Sequence, residues 1–146
     1  MDTLNTFFKE YLPNIDTTAL EQGFKRHRVL KKKEFLLRPN QNADFIAFVE
    51  KGTFRVFFYD LKDTDVTVWF SFQGMMISDL LAFYRDTSTR FYIQAIEESE
   101  IKIISRDTLE DIYRAKPEYL QFGKKHAEKV ACGSVMPSSV PAILAV

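Results

Sequence analysis

The sequence predicts a mainly β fold that is flanked by helices at both ends. Short apolar segments with strand periodicity recur about every ten residues between Phe24 and Ile104. Helical periodicity is confined to the segments before and after them. The chain has 146 residues, which suits one domain. Several short strands joined by turns are typical of an all-β sandwich or barrel.

The composition argues against several classes of function. Twenty Lys and Arg residues balance twenty Asp and Glu residues, which disfavours binding of nucleic acid by bulk charge. One cysteine rules out an intramolecular disulfide framework and a thiolate zinc cluster. With only two histidines, His27 and His126, neither a His-rich metal enzyme nor a cofactor is expected. No secretory signal and no run of about 20 apolar residues is visible, which predicts a cytoplasmic protein without a membrane partner.

Two short helices are predicted at the N-terminus. The first carries apolar residues at helical spacing, namely Leu4, Phe7, Phe8 and Tyr11. Pro13 ends this helix, Asp16 and Thr18 are expected to cap the second one, and Gly23 ends it.

The strands are predicted over residues 34–38, 44–49, 53–59, 66–72, 90–96 and 100–104. Alternate side chains of each strand are expected to fill the interior. Most of the strand phenylalanines are therefore expected in the core, from the set Phe45, Phe48, Phe54, Phe57, Phe58, Phe70 and Phe72. The basic cluster at residues 26–33 is expected to form a turn and a strand edge protected by charge. Contact with nucleic acid or an acidic partner is the alternative for this cluster.

The segment from Gly74 to Arg90 interrupts the strands and raises the question of function. It contains a short apolar helical turn followed by a polar loop. A small helix inserted between strands is a common way to build a pocket, and its N-terminal N–H groups favour an anion. Arg85 or Arg90 would complete a phosphate clamp by bidentate pairing.

The final third of the chain is predicted to be helical. Ser105 is expected to cap a helix, and Pro117 suits the first turn of another that covers roughly residues 118–130. This last helix places Leu120, Ala127, Val130 and Ala131 on or near one side. That side is expected to pair with a second subunit, with packing against its own domain as the alternative. His126, beside two lysines, is expected to be exposed, and residues 132–146 are expected to form an irregular tail.

The order of these elements resembles the cyclic-nucleotide-binding sensor domain of the Crp/Fnr transcription regulators. The resemblance covers roughly residues 5–130 and rests on four segments. Residues 30–52 look like a strand–turn–strand ending in a family glycine, Gly52, and Gly74 looks like the glycine before the phosphate cassette. Residues 93–104 look like its paired strands, and residues 109–120 look like the entry to its dimerisation helix.

The resemblance implies a fold, a domain plan and partners. The fold would be a double-stranded β-helix (jelly roll) with short N-terminal helices and a long C-terminal helix. One domain would cover residues 1–131, with the dimerisation helix from about residue 117. A small anionic effector in the roll and a homodimer through the C-terminal helix are the implied partners.

The chain departs from the family at the residues that bind the nucleotide. Cyclic-nucleotide-binding members carry Gly-Glu for the ribose and, about ten residues later, Arg-Ser or Arg-Thr for the phosphate. These pairs fall on Ser78-Asp79 and Thr89-Arg90. Asp79 has a shorter reach than Glu, and Arg90 is one place out of register, which along a strand reverses the direction of a side chain. The pocket is therefore predicted to have lost cyclic nucleotide binding or to be tuned to another small anion.

The candidate ligand-binding residues are Ser78, Asp79, Arg85, Thr89 and Arg90. Each also has a purely structural interpretation. Asp79 would be a solvated acid that caps the inserted helix, and Arg90 a solvated arginine at a strand end. Ser78 is predicted as the N-cap of the inserted helix, and Thr89 as a loop residue.

Three functions are compatible with the sequence. The favoured one is a non-enzymatic effector sensor, and the second is a dimerisation or interaction module without a ligand. The third, a cupin-like enzyme, needs closely spaced histidines that this chain lacks. Full-length family members continue into a helix-turn-helix domain, whereas residues 129–146 carry two prolines and no apolar helix pair. This chain is therefore predicted not to bind DNA specifically.

Overall fold

The computed structural model describes residues 3–131, with the side chains of residues 130 and 131 left out of the description. The helices are α1 (Leu4–Tyr11), α2 (Thr18–Gly23), α3 (Leu80–Arg85), α4 (Arg106–Ala115) and α5 (Leu120–Ala131). The strands are β1 (Arg26–Leu30), β2 (Phe35–Leu37), β3 (Phe45–Lys51), β4 (Thr53–Tyr59), β5 (Asp65–Phe72), β6 (Met76–Ile77), β7 (Tyr92–Ala95) and β8 (Ser99–Ser105). The tail expected at residues 132–146 lies outside the described residues.

The strands form two antiparallel sheets of four strands each. The order is β1-β8-β3-β6 in the first sheet and β2-β7-β4-β5 in the second. Neighbours such as β3 and β8 are distant in sequence, so the chain crosses repeatedly between the sheets. This topology confirms the predicted jelly roll with flanking helices.

Two apolar cores share the first sheet. The core between the sheets contains sixteen buried residues, among them Ala47 and Val49 of β3 and Ile101 and Ile103 of β8. The second core lies between the first sheet and the helices, and it includes Ile46, Phe48 and Ile104. Alternate residues of a strand point to opposite faces. Strands β3 and β8 are therefore buried on both faces, which explains why residues 45–49 are continuously apolar.

Several local predictions are confirmed and some are wrong. Strand β4 has the predicted bounds, and Ser105 caps α4 by accepting a hydrogen bond from the Thr108 N–H at 3.2 Å. Thr17, not Thr18, is the N-cap residue of α2, while Asp16 accepts bonds from the N–H and hydroxyl of Thr18. The last helix begins at Leu120, because residues 117–119 form a separate 3₁₀ turn.

Phe70 and Phe72 are exposed, which corrects their expected place in the core. The cause is a β-bulge: Val56 of β4 faces Trp69, whereas the next residue, Phe57, faces Thr67. One extra residue in β5 reverses the alternation beyond that point. The buried residues of β5 are consequently Val68 and Ser71.

The prediction that His126 is exposed is also wrong, because the residue is buried. Its ring stacks on Phe122 with centroids 5.4 Å apart and meets the edges of Phe7 and Tyr11. Its Nδ1 has no hydrogen-bond partner among the described residues. This aromatic box holds α5 against α1, so the face of α5 that carries Phe122 and His126 packs on its own domain.

Candidate effector site

The inserted helix α3 is held at its start by Asp79. The Asp79 Oδ1 atom accepts a hydrogen bond from the Ala82 N–H at 3.1 Å. Asp79 is therefore the N-cap residue, and the expected cap at Ser78 is wrong. The helix ends at Asp86, whose φ of 54° and ψ of 50° are left-handed. Ser78 instead donates its hydroxyl proton to the carbonyl oxygen of Phe45 at 2.7 Å, which fixes α3 to the start of β3.

Asp79 and Thr89, which the resemblance predicts at the ribose and phosphate positions, bind each other. The Thr89 hydroxyl donates to the Asp79 Oδ2 atom at 2.6 Å and accepts from the Phe91 N–H at 3.1 Å. Only 7% of Asp79 and 2% of Thr89 is exposed, so Asp79 is not the solvated acid that was considered. Backbone bonds at 2.8 Å join Thr89 to both Asn40 and Gln41. Asp79 and Thr89 thus satisfy each other's side chains, and backbone hydrogen bonds hold Thr89 in place.

The two candidate arginines lie on the surface. Arg85 is exposed in the last turn of α3, and Arg90 is exposed with its guanidinium 5.7 Å from the centroid of the Phe91 ring. Arg90 precedes β7, which begins at Tyr92, so the strand predicted from residue 90 is two residues shorter at this end. Of the five predicted residues, the structure brings Asp79 and Thr89 together and leaves both arginines outside.

Arg106 is a positioning residue that the sequence did not indicate. Its guanidinium donates to the carbonyl oxygens of Phe83 and of Ala43, the latter at 3.0 Å. The Arg106 Nε atom lies 3.6 Å from the Asp86 Oδ1 atom, and the Arg106 Cζ atom lies 4.4 Å from the centroid of the Phe83 ring. Arg106 therefore ties α3 to α4 and to the segment before β3. Its position directly after the Ser105 cap was the only signal in the sequence, and it did not specify this role.

The interior of the roll contains a carboxyl group and no buried cation among the described residues. Throughout residues 3–131 no Lys or Arg residue is buried, whereas the carboxyl group of Asp79 is. The side chains around α3 and β7 that face the interior are apolar, including Ala82, Phe91 and Ile93. The arrangement can accept hydrogen bonds from hydroxyl or amide donors, and it lacks a buried cation for a phosphate.

A separate cavity of about 580 Å³ lies outside the roll, between α3, α4 and α5. Tyr84 and Tyr113 line it, and burial raises the pKa of both hydroxyls. A Cβ on Gly123 would lie 3.0 Å from the Tyr113 hydroxyl oxygen and 3.8 Å from that of Tyr84. The absent side chain of Gly123 thus allows both rings to approach α5.

Within residues 3–131 no group of three or more His, Cys, Asp and Glu side chains is placed to hold a metal ion. None of the helices described there is long and apolar enough to cross a membrane.

Three of the solved structures that share this fold illustrate the similarity. The catabolite activator protein of Thermus thermophilus matches with a TM-score of 0.68 and 12% identity, over 84% of this chain and 58% of that chain. The N-terminal domain of a transcriptional regulator from Streptomyces coelicolor matches with a TM-score of 0.69 and 11% identity, over 82% and 87%. The c-di-GMP-responsive global regulator CLP of Xanthomonas campestris matches with a TM-score of 0.62 and 14% identity, over 79% and 59%. The chain thus spans little more than half of the activator protein.

Sequence comparison identifies the family. No curated protein matches the chain significantly by sequence. The sequence profile of the cyclic nucleotide-binding domain matches residues 27–116, which is more than half of the chain and runs from β1 to the end of α4. The jelly roll, the helix inserted after β6 and this match together lead to one conclusion: the chain belongs to the cyclic nucleotide-binding domain family and resembles the sensor domains of Crp/Fnr transcription regulators.

Proposed function

We propose that the chain is a non-enzymatic effector-sensing domain of the Crp/Fnr type whose cassette is degenerate for cyclic AMP. One observation carries this proposal: the hydroxyl of Thr89 is bound to the carboxylate of Asp79 inside the roll, and no buried cation accompanies them among the described residues. A cyclic phosphate in that place would face a carboxylate without a countercharge.

Binding of a cyclic phosphate beside Asp79 would carry a large cost in free energy. An ionised group that is moved from water to a protein interior without a partner loses several kcal/mol of solvation. To reach the phosphate, the exposed Arg90 would have to turn inward, and the bond between Thr89 and Asp79 would have to open. A hydrogen bond to a charged group contributes about 1.5–3 kcal/mol. These two changes would offset the free energy that contacts with the base and the ribose contribute to binding.

We expect isothermal titration of the full chain with cyclic AMP to show no binding tighter than millimolar. The reason is the absence of a buried cation and the closed Asp79–Thr89 pair. A micromolar dissociation constant would contradict the proposed degeneracy.

A rebuilt cassette provides the matched control. The variant that combines Ser78→Gly, Asp79→Glu, Thr89→Arg and Arg90→Thr restores the family's residue order. If it remains folded by circular dichroism and gains measurable binding while the natural chain shows none, these four positions account for the loss.

The effector itself is proposed to be another small anion, for which the exposed Arg85 or Arg90 would supply the positive charge that the interior lacks. A thermal-shift series with cyclic GMP, c-di-GMP, phosphates and carboxylates tests this, because a ligand at 100 times its Kd stabilises the folded state by about 2.7 kcal/mol. The c-di-GMP response of the Xanthomonas regulator is the reason to include that nucleotide. A shift with one of these compounds supports a retuned sensor. A flat response throughout favours the second candidate, an interaction module without a ligand.

We further propose a homodimer through α5, in the cytoplasm and without specific DNA binding by residues 3–131. The side of α5 that faces away from α1 leaves Leu120 53% exposed, which supports an unfilled contact there. Sedimentation velocity is expected to show a dimer that Leu120→Asp weakens at least tenfold, because an acid at this exposed position would be buried in the interface. Leu61→Asp, in the exposed turn after β4, is the control. A dimer equally stable in both variants would exclude α5 as the interface.

A further inference from the structure

The four sheet edges of the roll differ in how well they are protected. An exposed edge strand presents unpaired N–H and C=O groups, and proteins usually shorten it or place charges on it. The first sheet ends in β1, which carries Arg26, His27 and Arg28, and in β6, which has two residues. The second sheet ends in β2, with three residues, and in β5, with eight.

The edge at β5 lacks these protections. Its sequence, Asp-Val-Thr-Val-Trp-Phe-Ser-Phe, contains one acid at the start and no Lys, Arg or Pro. Among the described residues β5 pairs with β4 alone. Phe70 is 41% exposed and Phe72 is 53% exposed, and their rings stack with centroids 6.3 Å apart. A long apolar edge with exposed aromatic rings is a typical site for pairing with another strand.

The bulge gives β5 a symmetric pattern of faces. Asp65, Thr67, Phe70 and Phe72 lie on the outer face, beside the outward residues of β4. Val66, Val68, Trp69 and Ser71 lie on the inner face, where their β4 neighbours contact the core. The order of outer and inner residues is therefore the same in both directions from the peptide bond between Val68 and Trp69. A bulge ordinarily helps to blunt an edge, but here it makes the strand complementary to an antiparallel copy of itself.

The charges of β5 agree with this self-pairing. With a two-fold axis between Val68 and Trp69, Asp65 of one strand lies opposite Phe72 of the other. The two acids are then at opposite ends of the pair, roughly 23 Å apart at about 3.3 Å per residue. Thr67 lies opposite Phe70 and Val68 opposite Trp69, and pairs of an aromatic with a β-branched residue stabilise antiparallel strands.

We propose that β5 is a docking edge for a second copy of this chain, which joins the two second sheets into one continuous sheet across a two-fold axis. Antiparallel pairing of one strand with itself is isologous and closes as a dimer. This interface is distinct from α5, so it neither requires nor replaces the dimer proposed there.

The test uses the full chain with Leu120→Asp, which weakens the contact proposed for α5. Sedimentation velocity of this variant is expected to show a concentration-dependent dimer. Adding Phe70→Lys is expected to weaken the dimer at least tenfold, because two ammonium groups would enter the paired edge. Adding Leu61→Lys, an exposed apolar-to-basic change outside the strand, is the control and should leave the dimer intact.

Nuclear magnetic resonance supplies an independent measurement. In a mixture of labelled and unlabelled chains, an intermolecular Overhauser effect is expected between the Thr67 methyl group and the Phe70 ring. Isotope filtering selects signals between a labelled and an unlabelled chain, so such a signal arises only from a partner. A monomer up to high concentration, a dimer insensitive to Phe70→Lys, or Overhauser effects that place a different segment on β5 would each overturn the proposal.

Discussion

We expect Gly52→Ala to lower the free energy of unfolding by at least about 3 kcal/mol. Gly52 joins β3 to β4 with a φ of 102°, and a residue with a side chain is strained there by about 1–2 kcal/mol. A Cβ at this position would lie 2.0 Å from the Ser99 hydroxyl oxygen and 2.7 Å from the Ser99 Cα atom. Ser99 is fully buried and its hydroxyl accepts from the Thr53 N–H at 3.2 Å, so relief would require movement of β8.

Urea denaturation followed by circular dichroism measures this loss. Gly74→Ala is the comparison, because Gly74 has a φ of 87° and therefore the same conformational strain. We expect Gly74→Ala to cost about 1–2 kcal/mol and Gly52→Ala to cost clearly more. Equal losses in the two variants would show that the contact with Ser99 is unimportant.

We expect the stability of the domain to fall by about 3 kcal/mol on acidification because of His126. Burial, with a smaller contribution from the Lys129 ammonium group, lowers the pKa of His126 to about 4. The folded state therefore holds the neutral ring while the unfolded state takes up a proton. The stabilisation is complete above the unfolded pKa of about 6.5 and is lost as the pH falls from there toward 4.

The charges around His126 do not change this direction. Lys129 is the one charged group that contributes to the lowered pKa of His126, and the ammonium group of the preceding residue, Lys125, donates to the carbonyl oxygen of Tyr11 at 3.0 Å. The side chains that pack against the His126 ring from α1 and α5 are the aromatic rings of Phe7, Tyr11 and Phe122. None of these three rings carries a negative charge that would favour the protonated histidine. Protonation would therefore weaken the docking of α5 on α1.

The variant His126→Phe isolates this effect, since a phenyl ring has a similar shape and does not titrate. Denaturation at pH 7.5 and at pH 4 is expected to show the additional loss in the natural chain and not in this variant. His27→Gln is the control, because His27 is exposed on β1 and lies 3.2 Å from Glu100. If His126→Phe keeps the full pH dependence, other groups are responsible.

Much of the fold follows from local signals in the sequence. Strand β4 and the cap at Ser105 were predicted correctly because alternation, turn residues and capping are properties of a few neighbouring residues. Phe70 and His126 were misplaced for a different reason. A bulge shifts the faces of β5 without changing its composition, and the aromatic box around His126 forms only when α5 meets α1.

Two of the five candidate site residues lie together in the structure, and the binding role of all five stays a prediction. The spacing of the family's motif identified Asp79 and Thr89, which the structure brings within 2.6 Å of each other. The sequence left the cap of α3 open between Asp79 and Ser78, because either residue type suits that position. The anchoring of α3 by Arg106 depends on carbonyl groups of distant segments, which no local pattern encodes.

The double burial of β3 and β8 has a consequence for where this domain begins. The family profile starts at residue 27, yet Leu4, Phe8 and Leu20 of the preceding helices cover Ile46, Phe48 and Ile104 of the first sheet. A fragment cut at the family boundary would leave that apolar surface in water. We therefore expect the minimal unit that folds alone to include α1 and α2 and, at the other end, Tyr119 and Phe122, which complete the same core.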